Sequence, residues 1–132
     1  MHQMLCGIKA KTPNQLLLLM FSLFITLPNT AGADVPASEK PEVEYLLNLV
    51  KTSPCGFERN GKMYDGGQAY GHIKKKYEHF REDITSTEGF IEYAATKSLI
   101  SGKYYFIVCP GREPERTGDW LLRELGKYRE SR

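Results

Sequence analysis

His72 and Lys76 stand four residues apart in Asp65-Gly66-Gly67-Gln68-Ala69-Tyr70-Gly71-His72-Ile73-Lys74-Lys75-Lys76-Tyr77. Arg59 lies just upstream in Phe57-Glu58-Arg59-Asn60-Gly61-Lys62-Met63-Tyr64. Residues at i and i+4 share a helix face. Two basic groups so placed, with an arginine close by, can receive a carboxylate, a phosphate or a partner's acidic side chain. A second arrangement is Ser98-x-x-Ser101-Gly102-Lys103. Either serine is a conceivable nucleophile, with Lys76, Lys103 or His72 as the base, if burial lowers a lysine's pKa enough. That spacing matches neither Ser-x-x-Lys nor Gly-x-Ser-x-Gly. His72 and His79 are two helical turns apart, roughly 10 Å, and cannot share one ion. With no Cys-x-x-Cys or Cys/His cluster either, no metal and no cofactor is expected.

The elements that must hold these groups can be read from local chemistry. Asn60-Gly61 between two short runs predicts a hairpin, because both central residues of a type I′ turn need positive φ. Asp65 with Gln68 forms a capping box that opens a helix running to about Glu82. At about 100° per residue its apolar arc holds Ala69, Ile73, Tyr77 and Phe80, with Lys76 inside the arc and His72 and His79 on its edge. An unpaired ammonium there is costly. The expectation is that Lys76 reaches a carboxylate of the following helix, Glu88 or Glu92, unless it snorkels at the rim.

Upstream, Ser38 and Pro41 read as the start of a helix whose apolar face is Val43, Leu46, Leu47 and Val50, stopped by Ser53-Pro54. Thr85-Ser86-Thr87-Glu88 reads as a second capping box, with Phe90, Ile91, Ala94 and Ala95 as the packing face behind it. Lys103 to Cys109 is a strand beside the hairpin. Residues 110–118 read as a loop. Thr117 or Asp119 then caps a last helix striped by Leu121, Leu122, Leu125 and Tyr128. The fold class is α+β, a small antiparallel sheet of about three strands (the hairpin plus one later strand) covered by about four helices.

The start of the chain has a different character. Lys9 and Lys11 precede an unbroken apolar run from Leu16 to Leu27, then Pro28 and Ala31-Gly32-Ala33, the three parts of a secretory signal peptide. The run is shorter than the roughly 20 residues a membrane span requires. Residues 1–33 are therefore expected to be removed and 34–132 to form one small domain, periplasmic or secreted, without stable membrane insertion. The whole chain has 18 Lys and Arg against 16 Asp and Glu, and the leader holds two of the lysines, leaving 16 of each. A neutral domain argues against nucleic acid as a partner. Cys55 and Cys109 remain, and in an oxidising compartment a bridge between them is the first expectation, with free thiols or zinc ligation as alternatives.

The ordered set Phe57-x-Arg59-Asn60-Gly61, Ala69-x-x-His72-Ile73-x-x-Lys76, Ile84-x-x-x-Glu88-x-Phe90-Ile91 and Ser98-x-x-Ser101-Gly102-Lys103-x-Tyr105 resembles the YfeK-like family of small secreted bacterial proteins. The resemblance implies a bacterial source and an envelope location, and no reaction, substrate or cofactor. It also marks Arg59, Asn60, His72, Lys76, Glu88, Ser98, Ser101 and Lys103 as the polar residues of the pattern. Asn60 has a role in the turn, Glu88 in a cap and Ser101 in a turn. Arg59, His72 and Lys76 have no local role, so they form the centre of the candidate site. Three readings stand. The first is a non-catalytic binding module for an acidic small molecule or protein partner. The others are a small serine hydrolase using Ser98 or Ser101, and a structural or folding-accessory envelope protein.

Overall fold

The computed structural model describes residues 33–132, and the apolar run read as a signal peptide lies outside them. Element order is α1 (Lys40–Thr52), β1 (Gly56–Arg59), β2 (Lys62–Tyr64), α2 (Gly66–His79), α3 (Thr87–Ala95), β3 (Phe106–Val108), β4 (Glu115–Arg116) and α4 (Thr117–Glu130). The strands form one antiparallel sheet in the order β2-β1-β3-β4. The α+β class and the place of β3 beside the hairpin agree with the sequence. The sheet gains a fourth strand, because Glu115-Arg116, read as loop, pairs with Ile107 and Phe106. Two charged residues after a proline carry no period-2 signal, yet a short charged segment suits a sheet edge.

Asn60 (φ 51°) and Gly61 (φ 77°) both take the left-handed conformation that a two-residue hairpin loop demands. The Asp65 capping box is present in both halves, with Gln68 N–H donating to the Asp65 carboxylate at 2.8 Å and Asp65 N–H to Gln68 Oε1 at 3.0 Å. Gly66, the first residue of α2, is obligatory for a separate reason: a Cβ there would collide with the carbonyl oxygens of Val50, Lys51 and Ser53. Hairpin, cap and glycine together seat α2 against the end of α1.

Four helix boundaries differ from the sequence reading, that of α4 because its N-cap is Arg116 rather than Thr117 or Asp119. Helix α1 starts after Glu39 rather than Ser38, with Pro41 in its first turn. Helix α2 ends at His79, because the Ile84 amide turns back to the Phe80 carbonyl. Helix α3 is capped by Ser86, whose hydroxyl accepts from Gly89 N–H at 3.0 Å. Glu88 is therefore not the reciprocal partner of a capping box.

The core joins Leu46 and Val50 of α1, Phe57 and Ile107 of the sheet, Ile73 of α2, Phe90, Ile91 and Ala94 of α3, and Leu121 and Leu125 of α4. Cys55 and Cys109 are bridged, with Cα atoms 4.5 Å apart, which ties the start of β1 to the end of β3. Among the described residues, no helix is long and apolar enough to cross a membrane.

Candidate functional site

Side chains alternate across a strand, so the register of the sheet decides what faces α2. Phe57 of β1 lies opposite Tyr64 of β2 and Ile107 of β3. One step of alternation away, Arg59 and Tyr105 occupy the same inner face. Continuing the β1–β3 register puts them opposite each other. On the far side of Tyr105 the Thr117 amide donates to the Tyr105 carbonyl at 2.9 Å, which continues the β3–β4 register to Thr117. The inner face thus has an aromatic and apolar row, Tyr64-Phe57-Ile107, beside a polar row, Arg59-Tyr105-Thr117. Helix α2 lays Ile73 and His72 across these rows, and a cavity of about 370 Å³ opens between sheet and helix.

Arg59 Nη1 donates to His72 Nδ1 at 2.7 Å and its Nη2 donates to the Tyr64 hydroxyl at 3.3 Å. The same Nη1 also lies 3.2 Å from His72 Nε2, so the arginine faces the ring edge between its two nitrogens. His72 Nε2 is 3.2 Å from the Tyr105 hydroxyl, and which of the two donates follows from the tautomer. Lys76 Nζ donates to the Lys97 carbonyl at 2.7 Å and to the same Tyr105 hydroxyl at 3.3 Å. The Tyr105 oxygen accepts from Lys76 and shares its remaining hydrogen bond with His72 Nε2. Arg59 and Lys76 lack any carboxylate within 4.0 Å: the ion pairs of the described residues all lie elsewhere. Glu58 also lines the cavity, but strand alternation turns it away from the face that carries Phe57 and Arg59.

The electrostatics follow from that arrangement. Burial first, then the charges of Arg59, Lys76 and Lys75, pull the His72 pKa down to about 4, so the ring is neutral at pH 7. Burial and then Arg59 pull Lys76 down to about 8. Burial pushes the Tyr105 phenol up, partly offset by Arg59. A negatively charged guest would reverse each electrostatic contribution at once.

Lys76 does not reach the third helix's carboxylates, contrary to the sequence expectation. It bonds the Lys97 carbonyl, which lies past the C-cap Thr96 of α3 in the segment that bridges to Tyr104. Glu88 sits at the opposite end of α3 and pairs with Arg129 of α4. The remaining candidates stand apart from the centre. Ser101 Oγ donates to Asn60 Oδ1 at 2.6 Å, pinning the hairpin tip to the loop after α3. Ser98 is buried, and its hydroxyl accepts from Ser101 N–H at 3.3 Å. Lys103 is exposed. Ser101 Oγ also accepts from the Lys103 backbone N–H at 3.3 Å, but neither serine hydroxyl bonds a lysine or histidine side-chain nitrogen, so the serines lack the adjacent base that nucleophilic attack needs. Among the described residues no cluster of three or more His, Cys, Asp or Glu could hold a metal.

Tyr64, Tyr105 and Thr117 are the members that sequence reasoning did not single out. Tyr105 looked like a strand aromatic and Tyr64 the end of a hairpin. Only period-2 alternation from Phe57, followed across three strands, could have brought Tyr105 beside Arg59.

The model of a family of unknown function, DUF5329, matches residues 37–129. The chain is also 35% identical over 85 residues to the uncharacterized protein YfeK of Salmonella typhimurium, covering 64% of this chain and 69% of that protein. No solved structure matches. With the family match spanning nearly all of the described domain, the chain belongs to the DUF5329 family.

Proposed function

We propose that this is a secreted, periplasmic binding protein whose site receives an anionic group of a small molecule or of a partner, without catalysing a reaction. The observation that supports the reading is that Arg59 lines the cavity and Lys76 reaches Tyr105 on its wall, with no carboxylate within 4.0 Å of either cation. Two half-buried cations without a counter-ion raise the free energy of the empty site, and an anion lowers it. A neutral His72 held between Arg59 and Tyr105 keeps both in position. Secretion is supported by the leader's sequence pattern and by the Cys55–Cys109 bridge. Mass measurement of protein released from the periplasm is expected to give the chain starting at Asp34.

The anion reading is tested by following the His72 ring protons by NMR while sulfate, phosphate or acetate is added at constant ionic strength. The expected result is a saturable shift with a rise in the His72 pKa, lost in Arg59→Gln. An unshifted His72 pKa in all three anions would rule the reading out. One observation favours a second, structural reading: the Lys76 ammonium bonds the Lys97 carbonyl and so clips α2 to the segment after α3. On that reading Lys76→Met loses stability and no anion restores it.

A further inference from the structure

The cavity is much larger than a bare inorganic anion or a carboxyl group needs. At about 370 Å³ it equals roughly a dozen water volumes of ~30 Å³ each, within the size range of small-ligand sites. Its walls are of two kinds. The row Arg59-Tyr105-Thr117 is polar, and the neighbouring row carries Phe57, with Ile73 of α2 covering it. Alternate residues of a strand are about 6.6 Å apart, so a guest whose charge lies over Tyr105 has its remaining atoms over Phe57 and Ile73. Phe57 and Ile73 are core residues, 4% exposed each, and they nonetheless line the cavity.

Thr117 supplies an independent observation. It is 1% exposed, it lines the cavity, and its Oγ1 is the buried side-chain polar atom that finds no hydrogen-bond partner among the described residues. A buried hydroxyl left unpaired is unfavourable. It stands beside Tyr105, whose carbonyl accepts from the Thr117 amide. An anionic head placed over Tyr105 has Arg59 on one side and Thr117 on the other.

Resting on the anion-binding reading, we infer that the cavity takes a small amphiphilic anion, a carboxylate or phosphate head on an apolar body the size of an aromatic ring. The head lies on the Arg59-Tyr105-Thr117 row and the body on Phe57 and Ile73. Burying such a body removes apolar surface from water, which separates this guest from its bare head by affinity.

The test is an NMR titration of the protein with acetate, inorganic phosphate, phenylacetate, phenyl phosphate and phenethylammonium. Phenylacetate or phenyl phosphate is expected to bind at least tenfold tighter than its bare head, moving both the His72 ring and the Ile73 methyl signals. Which of the two gains more identifies the head. Thr117→Val keeps the shape of the wall, and is expected to weaken the aromatic anions several-fold without lowering the melting temperature. Gly71→Leu adds bulk at a cavity-lining glycine whose Cβ would meet nothing within 4 Å. It is expected to narrow the cavity and erase the advantage of the aromatic anions while acetate binding persists. Equal affinity for acetate and phenylacetate would overturn the amphiphile and leave the anion site standing. Phenethylammonium binding as tightly as phenylacetate, or no anion moving His72, would overturn the anion site and this inference together. Unchanged affinity in Thr117→Val would remove Thr117 from the head site.

Discussion

Glu42 on α1 and Arg59 on β1 both bring a charge into the folded domain, and the protein surrounds them in opposite ways. Glu42 is 4% exposed. Its carboxylate accepts from Arg129 Nε at 3.0 Å and Nη2 at 2.8 Å, and from the Thr87 hydroxyl at 2.7 Å. Arg129 also holds Glu88, so one guanidinium joins α1, α3 and α4. The bonds from Arg129, outweighing burial, lower the Glu42 pKa, and the same carboxylates raise that of Arg129. Around Arg59 the neighbours are a neutral imidazole, two phenols and a lysine. The first cluster is complete without a guest, as a structural network must be. The second has no carboxylate within 4.0 Å of its cations. The comparison also explains the disulfide: the helices on the Glu42 side are joined by charge, whereas the sheet that presents Arg59 and Tyr105 is stapled through Cys55 and Cys109.

Removing that staple is the largest expected effect. Loop entropy for a bridge spanning 54 residues amounts to about 4 kcal/mol. Denaturant melts of Cys55→Ser with Cys109→Ser, against the oxidised protein, should show a loss of that order. A loss below about 1 kcal/mol would mean that the sheet holds without the bridge, and the division of labour between the two halves would fail.

Arg129→Met comes next. It leaves Glu42 with the Thr87 hydroxyl and the more distant Arg132 guanidinium, 3.8 Å away, and breaking a buried pair costs about 3 to 5 kcal/mol. Arg129 is itself 41% exposed, so the expected loss is smaller, about 2 kcal/mol. Lys76→Met removes a charge that has no carboxylate partner and keeps most of the packing, so its expected change is within about 0.5 kcal/mol, while anion binding is lost. Equal losses in the two variants would erase the contrast and favour a structural role for Lys76.

The fold was readable where local rules act alone. Asn60-Gly61 fixed its turn, Asp65 and Gln68 their cap, and two cysteines in a small domain their bridge. Three things were not local. Strand β4 is two charged residues whose pairing depends on β3, not on any pattern of their own. Glu88 fitted a cap in the sequence, but Ser86 won that role and Arg129, 41 residues on, took the carboxylate. Lys76 was correctly placed among apolar residues and wrongly given an acid. A lysine can be met by a backbone carbonyl and a phenol, and nothing in one-dimensional periodicity distinguishes those from a glutamate. Arg59 and His72 came together as expected, while Ser98, Ser101 and Lys103 proved to belong to the loop that pins the hairpin tip.

The smallest effect is the most specific, because it reads the missing counter-charge directly. The folded Lys76 pKa is about 8 against 10.5 for the free side chain. Between those values the unfolded chain binds the proton and the folded chain has released it, so stability rises with pH through this window. Glu42, with its lowered pKa, is fully ionised there and contributes no slope. Tyr105 and Tyr77, raised above the usual 10, work in the other direction only where unfolded tyrosines ionise, so the measurement belongs between pH 8 and 9.5. Lys76 is about half buried and screened by solvent, and the expected gain is correspondingly modest, below about 1 kcal/mol. Melts across this range should show the rise in the native chain and a flat profile in Lys76→Met. A saturating anion at matched ionic strength should flatten the native profile too, since it lets Lys76 keep its proton. A rise that persists unchanged in Lys76→Met would assign the slope to other groups and leave Arg59 and Lys76 no more in need of an anion than any surface pair.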